Sequence, residues 1–275
     1  MAHILIFGLG YTATRIAERL RADSWRVDAT GSAGNLAFDN EDAVLAALSG
    51  ASHVLSSVPP GEDDPVLGRY GTALAGKWLG YLSSTGVYGD TQGAWADESA
   101  PIGGGRRNAR SEADAAWLKL GARVFRLPGI YGPGRSALDR VAQGRAKRID
   151  LPGQVFSRVH VEDIASGVVA GLDAPPGAYN LADDYPCSQN LVIEAACRLL
   201  GAALPPLQSL DEAGLAPQAL AFYSENRRVA NGKAKRVLGW KPAFPTYREG
   251  LRALIATTIP ASASTAPEPA SSDQR

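Results

Sequence analysis

The sequence predicts an α/β fold, a doubly wound parallel sheet followed by a smaller C-terminal lobe. Three observations predict it. An apolar strand at His3–Phe7 runs into a glycine turn and then a helical pattern. β-prone apolar runs alternate with helical patterns up to Gly129. Beyond that point the rhythm loosens into glycine, proline and short helices. Strand, glycine turn, helix and strand within about 30 residues make a βαβ unit, which requires a parallel sheet.

Taken in order, His3–Phe7 is a strand, Gly8-Leu9-Gly10 a tight turn, and Thr12–Arg21 a helix with Ile16, Ala17 and Leu20 near helical spacing. Trp25–Thr30 is the next strand, Glu41–Leu48 a helix, and His53–Val58 a strand stopped by Pro59-Pro60-Gly61. Trp78–Ser84 is a strand, Ala113–Leu120 a helix, and Ala122–Leu127 a strand ended by Pro128-Gly129. This alternation is that of a Rossmann-like core. Helical patterns at Glu162–Leu172, Asn190–Leu200, Val229–Leu238 and Tyr247–Thr257 build a second lobe rather than more of the same sheet. One unit is expected over residues 1–258, with the core mainly in 1–130 and an interleaved substrate lobe mainly in 131–258. Residues 259–275, rich in Pro, Ala and Ser, are expected to be a disordered tail, having too little apolar area to offset the entropy of ordering.

Composition narrows the function. The 275 residues hold 28 basic and 28 acidic side chains, 45% hydrophobic and 20% charged residues, as in an ordinary globular protein. A net charge of zero argues against nucleic acid as a partner, because such binding needs excess Lys and Arg. No stretch approaches the roughly 20 apolar residues of a membrane span, and Ile4–Phe7 breaks at Gly8, too soon for a secretory signal. Cys187 and Cys197 have no metal-ligand spacing and are expected as buried thiols. A cytoplasmic protein without a metal or membrane partner is the expectation.

Gly8-Leu9-Gly10-Tyr11-Thr12-Ala13 fits G-x-G-x-x-A, following a strand and opening a helix. Gly8 allows the turn, Gly10 lets backbone approach a pyrophosphate, and the helix N-terminus offers N–H groups. These residues point to a dinucleotide, with Gly8, Gly10, Tyr11 and Thr12 as its candidate contacts. Asp28 has the spacing of the acid that holds the adenosine ribose, but it lies inside the predicted strand. The loop after it, with Ser32 as a candidate contact, carries neither acid nor arginine. Asp39 is placed for the adenine amino group or as a helix N-terminal acid. Val58 and Pro128, at two strand ends, complete the candidate cofactor set. NAD and NADP stay equally open.

Ser83-Ser84-Thr85-Gly86-Val87-Tyr88-Gly89 follows a strand, where doubly wound folds hold substrate. With the glycine turn, Phe125–Gly134 (FRLPGIYGPG), Val159–Ala165 (VHVEDIA) and Lys233–Pro242 (KAKRVLGWKP), it makes five stretches in order that resemble the extended short-chain dehydrogenase/reductases. These are the NAD-dependent epimerase/dehydratase-like proteins, and the resemblance runs from residue 3 to about 258. It implies that Ser84 helps to hold a reacting hydroxyl or carbonyl. It also implies a tyrosine acid–base four residues before a lysine. None of the nine tyrosines has a lysine at that spacing. The matching stretch sets Arg106 at the tyrosine position and Arg110 at the lysine position, so the chain is similar to an atypical member. Arginine is a poor proton shuttle, which makes Tyr88 a candidate proton carrier beside Ser84 and Arg110.

Other residues weigh less. His160 reads as structural more readily than as a base, and His53 as core or strand end. Arg126 precedes Leu127-Pro128, where the strand end would face the nicotinamide. Arg135 and Arg158 could clamp an anion, and Tyr131 could line the cleft. The function expected is an NAD(P)-binding oxidoreductase or epimerase-like protein acting on a small polar substrate, a nucleotide sugar or a carbonyl compound. The alternative is a catalytically impaired NAD(P)-binding sensor or scaffold. Dimers common among the relatives make a homodimer the assembly to test.

Overall fold

The computed structural model describes residues 1–104 and 108–258. Arg106, set above at the tyrosine position, and the tail from residue 259 lie outside the described residues. Along the chain come β1 (His3–Phe7), α1 (Tyr11–Ala22), β2 (Arg26–Ala29), α2 (Glu41–Gly50) and β3 (His53–Ser56). Next are α3 (Pro65–Tyr70), β4 (Trp78–Ser84), a 3-10 turn at Thr85–Tyr88, β5 (Trp95–Ala96) and α4 (Asn108–Lys119). Then follow β6 (Arg123–Leu127), β7 (Gly129–Tyr131), α5 (Ala137–Ala142), β8 (Arg148–Ile149), β9 (Arg158–His160) and α6 (Val161–Ala170). The last are β10 (Gly177–Asn180), α7 (Gln189–Leu200), β11 (Leu207–Gln208), α8 (Pro217–Tyr223), β12 (Arg228–Val229), α9 (Gly232–Val237) and α10 (Tyr247–Thr258).

Six strands form one parallel sheet in the order β10-β6-β4-β3-β1-β2. The chain steps outward from β1 to β2 and then returns past it to β3. The carboxyl ends of β1 and β3 therefore frame the switch point, where this class of sheet opens a crevice. All five residues of β1 are buried. Ile4 and Ile6 face one core with Ile16 and Leu20 of α1, and Leu5 and Phe7 face the other with Val44, Leu48, Tyr81 and Trp117. This alternation with period two, apolar on both sides, is what a central parallel strand requires.

The second lobe packs Tyr131, Leu138, Val192, Tyr247 and Leu251 into its own cluster, from β7, α5, α7 and α10. Each of the first two helices is capped: Ser136 and Asp139 form a reciprocal capping box at α5, and Ser188 caps α7. β10 joins the main sheet from late in the chain. Although it falls within the stretch 131–258, it pairs in parallel with β6 as an edge of the main sheet, where Ala178 and Tyr179 are buried. α3 was not foreseen, although Asp64 and Pro65 signal it. The Asp64 carboxylate accepts the Val66 and Leu67 N–H groups at 2.9 and 3.0 Å, with proline at N1. α4 begins five residues before the predicted Ala113, since its first turn is polar and shows no apolar period.

Candidate active site

The glycine turn is built by two different constraints. Gly8 has φ +86°, and a Cβ there would lie 3.0 Å from Val58 Cγ2, so the fold itself excludes a side chain. Val58 thus closes the turn from the end of β3. The turn is tied to the end of β2, where Leu9 N–H donates to the Thr30 carbonyl at 2.7 Å and Gly8 N–H to Thr30 Oγ1 at 3.1 Å. Gly10 is different. Its φ is −96°, open to any residue, and a Cβ there would meet no heavy atom within 4 Å. Gly10 is also the N-cap of α1 and supplies no side-chain cap, while the first helical bond runs from Thr14 N–H to its carbonyl. The N–H groups of Tyr11, Thr12 and Ala13 therefore face outward from the positive end of a 12-residue helix. Open space in front of uncapped N–H groups fits a pyrophosphate, and the chain alone gives no reason for glycine at position 10.

The other candidate contacts separate into two groups. Tyr11 turns toward the second lobe, where its hydroxyl donates to the Pro133 carbonyl at 3.2 Å and Arg135 stacks 5.7 Å from its ring. Thr12 is buried under the turn, Ser32 is exposed at the tip of the loop after β2, and Pro128 follows the last residue of β6. Asp28 is held by three neighbours. His3 Nε2 lies 2.8 Å from Oδ2, Arg26 Nη2 3.0 Å from Oδ2, and Asn35 Nδ2 donates to Oδ1 at 2.8 Å. Burial works to raise its pKa, but the Asn35 and His3 hydrogen bonds and the Arg26 charge prevail and hold the carboxyl below the usual range. Asp39 is exposed and held by Arg69, 2.7 Å away; Asn40, not Asp39, caps α2.

At the end of β4, Ser84 caps the 3-10 turn, its Oγ accepting Gly86 N–H at 3.1 Å. That leaves the hydroxyl proton free to be donated. Arg110, in the first turn of α4, donates to Tyr81 Oη at 2.8 Å and to the Leu82 carbonyl at 3.4 Å, so its charge lies along β4 just short of Ser84. Tyr88 is engaged by two neighbours. Its hydroxyl is buried, donates to Asn180 Oδ1 at 2.7 Å and accepts from Arg126 at 3.0 Å. Burial raises its pKa, with Arg126 opposing. A group so engaged is a poor proton carrier.

Arg126 is engaged as well. It is 3% exposed and turned away from the crevice into Asp114 of α4, which is fully buried. Its Nη2 and Nε reach the two carboxylate oxygens at 2.7 and 3.0 Å, while Ser83 Oγ donates to the same carboxylate at 2.6 Å. Asn180 continues the chain, donating to the Ala230 carbonyl at 3.1 Å. A buried line of polar groups, Ser83–Asp114–Arg126–Tyr88–Asn180, thus runs beneath Ser84 from α4 to the second lobe. No signal in the sequence pointed to Asp114, which lies 12 residues from Arg126 and on a different element.

The proposed arginine clamp does not form. Arg135 is exposed beside Tyr11, whereas Arg158 is buried and donates to Cys187 Sγ at 3.0 Å. His160 caps α6, its Nδ1 accepting Glu162 N–H at 3.3 Å, and burial drives its pKa down to about 4. Tyr131 is buried against His160, with ring centres 5.1 Å apart, and does not line the cleft. His53 lies on β3 against Trp25 and Trp78. Among the described residues no group of three or more metal-ligating side chains comes together, and no helix is long and apolar enough to cross a membrane.

No protein-family model matches the chain. A curated relative, the 3-diazoavenalumate denitrifying reductase of a Streptomyces species, is 33% identical over 158 residues. That match spans 53% of this chain and 51% of the relative, so the chain covers about half of that protein's length. Among solved structures, a conserved protein of unknown function from Silicibacter pomeroyi is 40% identical, with a TM-score of 0.83 over 94% of this chain and 99% of that one. A protein of Methylobacillus flagellatus described as an NAD-dependent epimerase/dehydratase has 22% identity and a TM-score of 0.73 over 94% and 98% of the two chains. The human epimerase family protein SDR39U1, solved with NADPH, has 18% identity and a TM-score of 0.72 over 92% and 98%. At those last identities the likeness carries the fold. The chain belongs to the family of the Silicibacter pomeroyi protein, and its fold is that of the NAD-dependent epimerase/dehydratases, the extended short-chain dehydrogenase/reductases.

Proposed function

We propose that this protein binds NAD(P) at the glycine turn and acts as an oxidoreductase or epimerase-like enzyme on a small polar substrate. The observation that carries the reading is Gly10, a glycine that neither φ nor packing demands, in open space before three outward N–H groups. The Streptomyces relative is described as a reductase, and relatives in fold are described with NAD or solved with NADPH. A bound nicotinamide would supply a carbon that gives or takes a hydride. The chain's own part begins at Ser84, whose free proton suits a substrate carbonyl or hydroxyl oxygen at the end of β4. Arg110 places a fixed positive charge on the same strand end, favouring negative charge developing on that oxygen. β3 alone separates β4 from β1, about 10 Å from strand to strand, a span that a dinucleotide laid across the strand tips covers.

A second reading, a sensor or scaffold that binds NAD(P) without turnover, is favoured by the Tyr88 hydroxyl being committed to Arg126 and Asn180. Gly10→Val tests the binding. Its side chain enters open space, so the variant should fold, with a melting temperature lowered by no more than a few degrees for the poorer N-cap, and lose dinucleotide binding in calorimetric titration. Equal binding by wild type and variant would remove the glycine turn from the site. Turnover, followed by reduced-nicotinamide absorbance with nucleotide sugars and carbonyl compounds, separates enzyme from sensor.

A further inference from the structure

We propose that the dinucleotide site does not discriminate by the adenosine 2′-phosphate and takes NADPH and NADH alike; this inference rests on the binding reading above. Selectivity for NADH in this class of sheet comes from a carboxylate at the tip of the second strand, which bonds the ribose hydroxyls and repels a phosphate. Here the acid of suitable spacing faces the other way. Asp28 is 8% exposed, and two of its three partners lie toward the amino end of the sheet. His3 is the first residue of β1 and pairs in register with Arg26, the first of β2. Both reach Asp28 Oδ2, at 2.8 and 3.0 Å, and draw the carboxylate away from the crevice. The Gly8 turn lies at the opposite end of β1, about 16 Å along the strand.

The third partner closes the remaining side. Asn35 bridges the strand and the loop, donating to Asp28 Oδ1 at 2.8 Å while its own Oδ1 accepts Ala29 N–H at 2.8 Å. Between them the tip, Thr30-Gly31-Ser32-Ala33-Gly34, contains no charged residue. It is a tight turn closed by Gly34 N–H to the Gly31 carbonyl at 2.9 Å, with Gly31 at φ +109° against Leu9. Of its exposed residues, Gly31, Ser32 and Ala33, Ser32 alone carries a polar side chain, a hydroxyl that serves a ribose oxygen and a phosphate oxygen equally well. Asp39, the next acid in the chain, is held by Arg69, which also lies 3.6 Å from Glu41. The tip therefore neither repels a 2′-phosphate with an acid nor attracts it with a base.

Calorimetric titration of the full chain with NADH and with NADPH tests this directly. The two dissociation constants should agree within about fivefold, roughly 1 kcal/mol. Ser32→Asp puts a carboxylate at the tip and should weaken NADPH by about tenfold or more while NADH changes less than about threefold. Asp28→Asn, read below its melting temperature, should leave the ratio of the two constants unchanged within about threefold, whatever it does to stability. A wild-type preference for either cofactor above about twentyfold, or a shift of the ratio toward NADPH in Asp28→Asn, would overturn the inference. Failure of both cofactors to bind overturns the binding reading and this inference with it, a result distinct from unequal binding.

Discussion

Removing the Asp114 carboxylate should be the most damaging single change beneath the site. Asp114 is fully buried and accepts from Arg126 twice and from Ser83 once. Asp114→Ala leaves the Arg126 guanidinium, 3% exposed, without a counter-charge. Breaking one side of a buried pair costs about 3–5 kcal/mol, a large share of the roughly 5–15 kcal/mol that holds most folds. For a chain of this size each kcal/mol moves the melting temperature by about 2–4 °C, so a drop of about 6–20 °C is expected. The assay is the urea midpoint at constant slope, with calorimetry beside it. Asp114→Ala combined with Arg126→Met removes the stranded charge as well and should regain most of the loss, because an apolar pair of similar volume tolerates that interior. Should Asp114→Ala prove too unstable to purify, Asp114→Asn keeps the shape and tests the charge alone. A loss below about 1 kcal/mol, or a double variant no better than the single one, would refute the buried pair as the source of rigidity at the ends of β4 and β6.

Three further outcomes follow from buried polar groups. Burial raises the Asp183 carboxyl to about 7 from its ordinary 3.8, with Arg158 opposing, and its Oδ2 has no partner among the described residues. Stability from this group is present at low pH and lost as pH rises toward 7, so Asp183→Asn should exceed wild type by up to about 4 kcal/mol above pH 7, the gap closing toward pH 4. His160 has the opposite sign: its depressed pKa, about 4, makes stability full above pH 6.5 and lost as pH falls toward 4. Chemical unfolding of His160→Asn should lack that part of the acid slope, up to about 3 kcal/mol. Asp64→Ala removes the α3 cap and the acceptor of Trp117 Nε1, 2.8 Å away, and should cost about 2–3 kcal/mol by urea midpoint.

Much of the scaffold was legible in the sequence. β4 spans the predicted Trp78–Ser84, and α1 and β1 differ from the predicted boundaries by at most one residue. Local period and turn chemistry determine such elements, and the glycine turn declared its own context. The candidate site was legible in position but not in partnership. Gly8, Gly10 and Ser84 stand at strand ends as expected, because a strand followed by glycine or a hydroxyl cluster fixes where the chain turns. Tyr88, Arg126, Arg158 and Asp28 read from the sequence as free groups, and each is taken up by another residue.

The sequence by itself determined the alternation of strand and helix, and hence a parallel sheet with its crevice at the strand tips. Only the tertiary structure decided which polar groups remain free to act there. Tyr88 meets Asn180 across 92 residues, and His3 meets Asp28 across 25. Those meetings depend on strand register and on which face of the sheet each side chain takes. Burial then makes them binding, since a buried polar group left without a partner costs far more than a satisfied one gains. Gly10 is the converse case: only the assembled fold shows that nothing in the chain occupies the space before it.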